Sequence, residues 1–437
     1  MRYEKVFRNA RWIILCRVIQ SLLQLVVGML CARYLGPAGY GLIGYAASVM
    51  SFALPLMRLG FNATLVKALV DDPEGQDQIM GTALGMNLLS ALVCMGAVTA
   101  FAALTNPGNG EAVLVCGLYS LSLIFSALEM VQYWFQHRLM SGYCAMVMLV
   151  SYVAASAYRI LLLIRGAEVC WFALTNSVEH GLISLALIWI YRRKGGGFSF
   201  SLARGRKMLA ASRYYMLSAM LVVVIQSTDH IMLTSMAGTG ENGLYSAAVT
   251  CATMTQFVYL AIIDSFRPVI LEERGRNEAL FERSMSRLYG IIILLALAQS
   301  AAFTVLGRWI ITLLYGSAFA GAVPVFRVLN WYFVFSCMGT VRNVWILAEG
   351  LEKYLLPVNF WGAVVNVILN WLLIPRFGAV GAAGASLLTQ FTNNFVMGFV
   401  IGPLRRNNLL MLRGISPRFV RRELESLLKK KNKEEML

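Results

Sequence analysis

Runs of twenty or more apolar residues recur from one end of this 437-residue chain to the other. Each is long enough to cross a hydrocarbon core of roughly 30 Å as a helix. That feature makes the expected fold an all-α polytopic membrane protein, because a helix satisfies its own backbone in lipid. Composition agrees: 58% of residues are hydrophobic and 14% charged, against about 45–50% and about 25% in soluble domains. Twelve spans are expected, near 11–32, 41–66, 79–103, 112–136, 143–164, 169–191, 209–236, 243–266, 288–315, 323–348, 355–374 and 379–402. The first has basic residues before it and no small-residue cleavage site after it, so it reads as a retained helix rather than a signal peptide.

Charge sets the orientation. With the N-terminus in the cytoplasm, the cytoplasmic segments hold 28 of the 38 Lys and Arg residues, and the outward loops hold only Arg33, Arg165 and Arg376. This is the asymmetry of the positive-inside rule, so both termini are expected on the cytoplasmic side of the membrane. The net charge of +16 is then a topology signal, and no nucleic-acid partner is expected.

The basic, Gly-rich segment 192–208 divides the chain into two lobes of six spans, 1–191 and 209–402, and a basic tail follows at 403–437. "GLIGYAAS" in the second span matches "NGLYSAAV" in the eighth, aligning Tyr45 with Tyr245. "RILLLIRGAEV" matches "NWLLIPRFGAV", setting Arg159 opposite Asn370 and Arg165 opposite Arg376. Both matches pair span n with span n+6, so the lobes are expected to be parallel repeats. In the tail, Phe419, Val420, Leu424, Leu427 and Leu428 recur at helical spacing among basic residues. They read as an amphipathic helix on the anionic inner leaflet or as a solvated stop-transfer tail.

The eight cysteines are scattered, with no CxxC and no His-Cys cluster, and the three histidines lie far apart. Neither a disulfide nor a metal site is expected, and no cofactor.

Several spans carry a polar stripe, since residues at i, i+3, i+4 and i+7 share a helix face. The first span has Arg17, Gln20, Ser21 and Gln24; the second Ser48, Ser51, Pro55, Arg58 and Asn62. The fourth has Ser122, Ser126, Glu129 and Tyr133, the fifth Ser156 and Arg159, and the eleventh Asn359, Asn366 and Asn370. Polar contacts between packed helices account for single Ser, Thr or Asn residues. Clustered arginines point instead to a hydrated cavity.

Within spans lie Arg17, Arg58, Arg159, Arg213, Arg308, Arg327 and Arg342 against Glu129, Glu179, Asp229 and Asp264. Arg308, Arg327 and Asp264 are near span ends and can snorkel to the interface. Arg17, Arg58, Arg159, Arg213 and Arg342 are the candidate contacts for an anion crossing the membrane, because a guanidinium keeps its charge and its fork suits phosphate. Gln20, Gln24, Asn62, Asn366 and Asn370 are candidate polar cavity residues. Glu129, Glu179 and Asp229 either carry a coupling proton or neutralise neighbouring arginines. Arg159, with Ser156 one turn before it, is expected to meet the departing anion near the outer side. Arg165 is a loop charge.

These residues sit in a chain that resembles the polysaccharide flippases of the multidrug/oligosaccharidyl-lipid/polysaccharide (MOP) superfamily, the Wzx-type lipid-linked oligosaccharide flippases. The similar stretches are "ARYLGPAGYGLIGYAA", "LGFNATLVKAL", "STDHIMLTSMAGTGENGLYSAA", "LLYGSAFAGAVPVFRVL" and "NVILNWLLIPRFGAVGAAGASLLTQ". Together they cover about 10–395, as loose patterns of Gly, Pro and small residues with no catalytic signature. The resemblance implies two six-helix lobes around a central cavity that opens to each side in turn. It implies an undecaprenyl-(di)phosphate-linked oligosaccharide as substrate, membrane lipid and other polysaccharide assembly proteins as partners, and no enzymatic activity. Arg17 and Arg58 are the best local matches to its cavity arginines.

Lipid II flippases of this superfamily commonly have fourteen spans, so a count of twelve favours the oligosaccharide branch. Its cationic drug exporters often carry an acidic residue in the first helix, where this chain has Arg17 and two glutamines. A membrane-embedded polymerase or ligase is the other alternative. Such an enzyme needs a sizeable external loop, and the longest here, around "TNPGNGEA", has no His or Arg.

Overall fold

The structure is a computed structural model that describes residues 2–138, 140–419, 421 and 425, with backbone alone at 2–18, 21, 22 and 63. Among the described residues it is built of helices joined by short turns, without a strand, and ten helices are long and apolar enough to cross a membrane. The chain divides into two compact units, Met1–Gly243 and Leu244–Leu437.

The first unit opens with α1 (Arg2–Met57), which merges the first two expected spans through a kink at Gly36, φ 66° and ψ 178°. A left-handed φ of this kind comes without steric cost only to glycine. The second span does not run on to residue 66 as expected. Pro55 lacks an N–H, α1 ends at Met57, and Arg58–Gly60 form a turn before α2 (Phe61–Asp71). Leu59 and Gly60 both have positive φ, 52° and 72°.

Breaking a helix inside a membrane leaves carbonyls to satisfy, and neighbouring helices supply the donors. From α3 (Gln76–Thr105), Ser90 donates to the Leu56 carbonyl at 3.1 Å and the Cys94 thiol to that of Ala53 at 3.8 Å. From α9 (Leu202–Ala237), Ser212 donates to the Leu59 carbonyl at 2.8 Å. Gly60 is needed here, since a Cβ would lie 2.5 Å from the Ser212 carbonyl oxygen.

The fourth span is also segmented, as α4 (Gly110–Ser120), α5 (Ser122–Leu128), a 3-10 turn at Glu129–Val131, and α6 (Gln132–His137). After α7 (Ser141–Arg165) and α8 (Val169–Arg193), the segment leading into α9 is pinned to α3. The Gly197 N–H donates to Asp77 at 2.9 Å and the Ser201 N–H to Thr82 at 3.0 Å. Arg204 pairs with Asp72 at 2.5 Å. The unit ends in the first residues of α10 (Thr239–Thr253).

The second unit contains the rest of α10, then α11 (Gln256–Arg274), α12 (Glu278–Tyr315), α13 (Ala322–Glu349) and α14 (Leu355–Phe391). α14 merges the last two expected spans through Gly378, φ 53° and ψ −131°. Counted across its kink and that of α1, the ten long helices make the expected twelve crossings. A π-helical turn, Thr392–Val396, leads to the short α15 (Met397–Val400) and to α16 (Arg405–Ile415). Phe281, Tyr289, Phe333 and Trp345 anchor the core between α12 and α13. An ionic cluster ties α16 to it: Arg406 and Arg413 meet Glu282 at 2.8 and 3.3 Å, and Arg274 meets Glu349 at 2.9 Å. Of the five apolar residues of the proposed tail helix only Phe419 is described; Val420, Leu424, Leu427 and Leu428 lie outside the described residues.

Candidate functional site

The interrupted helices of the first unit bring charge together in its interior. Tyr152, Ser156 and Arg159 share one face of α7 by their i, i+4, i+7 spacing. Arg159 Nη2 lies 3.4 Å from Glu179 Oε2 on α8, and Nη1 donates to the Tyr152 hydroxyl at 3.2 Å. The next residue, His180, has Nδ1 2.7 Å from Glu129 Oε1. Glu129 is buried in the 3-10 turn that divides the fourth span. A chain of polar contacts therefore runs from α7 through α8 to that turn, as Arg159–Glu179 followed by His180–Glu129.

Arg58 borders this chain from the break between α1 and α2. Its charge acts on His180 and on Tyr133, yet its guanidinium makes no hydrogen bond or ion pair among the described residues. It is half-buried. Beside it starts α2, whose N-cap Gly60 provides no side-chain cap. A helix N-terminus carries unsatisfied N–H groups and partial positive charge, so Arg58 and the start of α2 are electropositive together. The network holds two guanidinium groups and two carboxylates and is balanced when His180 is neutral. Within it Arg159 is committed to Glu179, and Arg58 keeps its donors. Such an arrangement can take up an anion without first breaking an ion pair.

Of the residues singled out in the sequence, the structure gathers Arg58, Arg159, Glu129 and Glu179. The Arg17 side chain lies outside the described residues. On α1, Gln20 is half-buried and Gln24 exposed, and Asn62 is exposed on the first turn of α2. Arg213 is exposed on α9 and donates to the hydroxyl of Tyr214 at 3.2 Å. Asp229 is buried on α9 beside His230, whose Nδ1 lies 2.7 Å from Asn242 Oδ1.

Arg342, Asn366 and Asn370 belong to the second unit and are buried there. Arg342 donates to the carbonyl of Asn393 in the π turn at 2.7 Å, and Asn370 donates to Asn366 at 3.1 Å. His180 and Tyr152 join the site without having stood out in the sequence. The seven-residue spacing of Tyr152 and Arg159 was a readable signal. The meeting of His180 with Glu129 was not, since the two are far apart in the chain.

A family model described as polysaccharide biosynthesis protein matches residues 6–272, more than half of the chain. The succinoglycan biosynthesis transport protein ExoT of Rhizobium meliloti is 23% identical over 335 residues, 75% of this chain and 66% of that one. An uncharacterized membrane protein of Methanocaldococcus jannaschii is 24% identical over 190 residues, 43% of this chain and 37% of that one. The chain thus spans less than two thirds of the length of either relative. Among solved structures, the inward closed conformation of the lipid II flippase MurJ superposes with a TM-score of 0.74 at 14% identity, over 92% of this chain and 90% of that one. An inward-facing multidrug resistance transporter of the MATE family, within the MOP superfamily, gives 0.66 at 17% identity, over 89% and 95%. At these identities the likeness is one of fold.

Proposed function

The chain belongs to the polysaccharide biosynthesis protein family, and from that premise we propose that it is a flippase for a polyprenyl-(di)phosphate-linked oligosaccharide. It carries the lipid from the cytoplasmic to the outer leaflet of a bacterial inner membrane by alternating access, with both termini cytoplasmic, and serves surface polysaccharide assembly. The observation that carries this reading is Arg58, a half-buried guanidinium at a helix break that has no hydrogen-bond or ion-pair partner among the described residues. A desolvated unpaired charge is costly; a phosphate supplies the counter-charge and accepts two parallel hydrogen bonds from the fork. Arg159 is the second contact, passing from Glu179 to the phosphate. Arg17 and Arg213 are assigned to the inner part of the path, and Arg342 to holding the π turn.

The test is inversion of labelled undecaprenyl-diphosphate oligosaccharide in proteoliposomes. Arg58→Ala is expected to slow it at least tenfold, about 1.4 kcal/mol of lost interaction, with Arg58→Lys intermediate because a point charge replaces a fork. Unchanged inversion in the double variant Arg58→Ala, Arg159→Ala would sink the assignment. Resistance to cationic dyes conferred by the intact protein would favour drug export instead.

A further inference from the structure

Within the first unit a cavity of about 400 Å³ opens between α1, α3 and α9. Val49, Leu56, Val98, Phe101, Met220 and Ile231 form much of its wall, and Thr228 carries the only hydroxyl among its lining residues. Leu56 and Phe101 are 38% and 39% exposed, so the cavity is a groove open at the surface. All three helices are long and apolar enough to span a membrane. A carbon-lined space of this size suits an apolar ligand and offers water few partners.

The break that frees Arg58 also shapes this groove. Its wall is held by Ser51 donating to Ser227 at 2.7 Å, by the Cys94 thiol on the Ala53 carbonyl, and by Ser90 on the Leu56 carbonyl. Leu56 stands two residues before Arg58, and Val49 lies about 10 Å further along α1 at 1.5 Å per residue. An anion with one hydrocarbon chain attached would set its head at Arg58 and its chain along the groove. A two-chain phospholipid would need room for glycerol and a second chain at Leu59–Gly60, where the backbone of α9 already lies against the turn.

We propose that the α1–α3–α9 groove binds the phosphate-proximal part of the polyprenyl chain, holding it against the protein while the headgroup crosses. The proposal rests on the flippase reading of Arg58 and adds to it a site for the lipid part of the substrate. The probe is a polyprenyl diphosphate with a diazirine on an isoprene near the phosphate. It is presented to the full-length protein in nanodiscs of phosphatidylglycerol and phosphatidylcholine. Label is expected on residues 49–56, 94–101 and 220–231, competed by unlabelled polyprenyl diphosphate and not by excess phosphatidylglycerol.

Ala97→Trp fills the groove from an exposed position on α3. It is expected to cut labelling and inversion at least tenfold, while binding of inorganic diphosphate stays within twofold. Competition by phosphatidylglycerol, or normal inversion in Ala97→Trp, would overturn the proposal. The two readings fail separately. Groove labelling without inversion in the wild type would count against the flippase reading alone, and inversion without groove labelling against this proposal alone.

Discussion

Arg159 and Arg342 read alike in the sequence, each a charge about a turn and a half from the middle of a span, and the structure gives them opposite surroundings. Arg159 pairs with Glu179, the two side chains 20% and 14% exposed. Glu179→Gln should therefore cost about 3 kcal/mol of stability, the scale for breaking a largely buried pair. Arg159→Met combined with Glu179→Leu should recover most of it in thermal unfolding in detergent. Arg342 has a backbone carbonyl as its partner. Arg342→Gln keeps a donor for Asn393 and removes a buried charge, so its unfolding temperature should equal or exceed that of the wild type. Arg342→Ala should fall by about 1–3 kcal/mol for the orphaned carbonyl. The repeat matched Arg159 to Asn370, yet Asn370 bonds Asn366 on its own helix. The two positions matched in the sequence do not share chemistry, because Arg159 meets a carboxylate on the neighbouring α8 and Asn370 an amide on its own helix.

At the scale of elements, hydrophobic runs located the spans, and in the structure Gly36 and Gly378 form the kinks between merged spans. The breaks inside spans were harder to read. Pro55 and Gly60 flank the turn at Arg58 and signal it weakly, since membrane helices tolerate both residues. Nothing local announces the 3-10 turn at Glu129 or the π turn at Thr392–Val396; at the π turn Arg342 and Asn408 donate to the Asn393 and Phe395 carbonyls. The basic segment 192–208 reads in the sequence as a linker, and hydrogen bonds to Asp77 and Thr82 hold it. So does Asp72, whose carboxyl is kept below the usual aspartate range by the hydrogen bond from Arg204 and then by the Gly75 N–H. A lowered folded pKa contributes stability that is fully present above the ordinary value of about 3.9. It is lost as pH falls below that value through the folded one. Amide exchange at 199–206 should rise over that acid window in the wild type. In Asp72→Asn it should be faster at neutral pH and show no such step.

For the whole molecule, the distribution of Lys and Arg predicts which loops share a side. In a variant without the eight native cysteines, a cysteine at Lys194 should react with an impermeant thiol reagent only from the side that labels the tail at Arg413. A cysteine at Arg165 should react only from the opposite side, and any other pattern would overturn the topology. Apolar runs determined an all-α membrane protein of about twelve spans, because hydrocarbon leaves the backbone almost no alternative to the helix. The MOP resemblance was legible too, in Gly and Pro patterns at fixed order along the chain. Which charges meet was decided only by tertiary structure. Arg159 with Glu179, His180 with Glu129, and Arg58 without a hydrogen-bond partner among the described residues all depend on how α1, α7, α8 and the segmented fourth span are rotated against each other. A one-dimensional pattern records which face of a helix is polar, and only packing settles what that face meets.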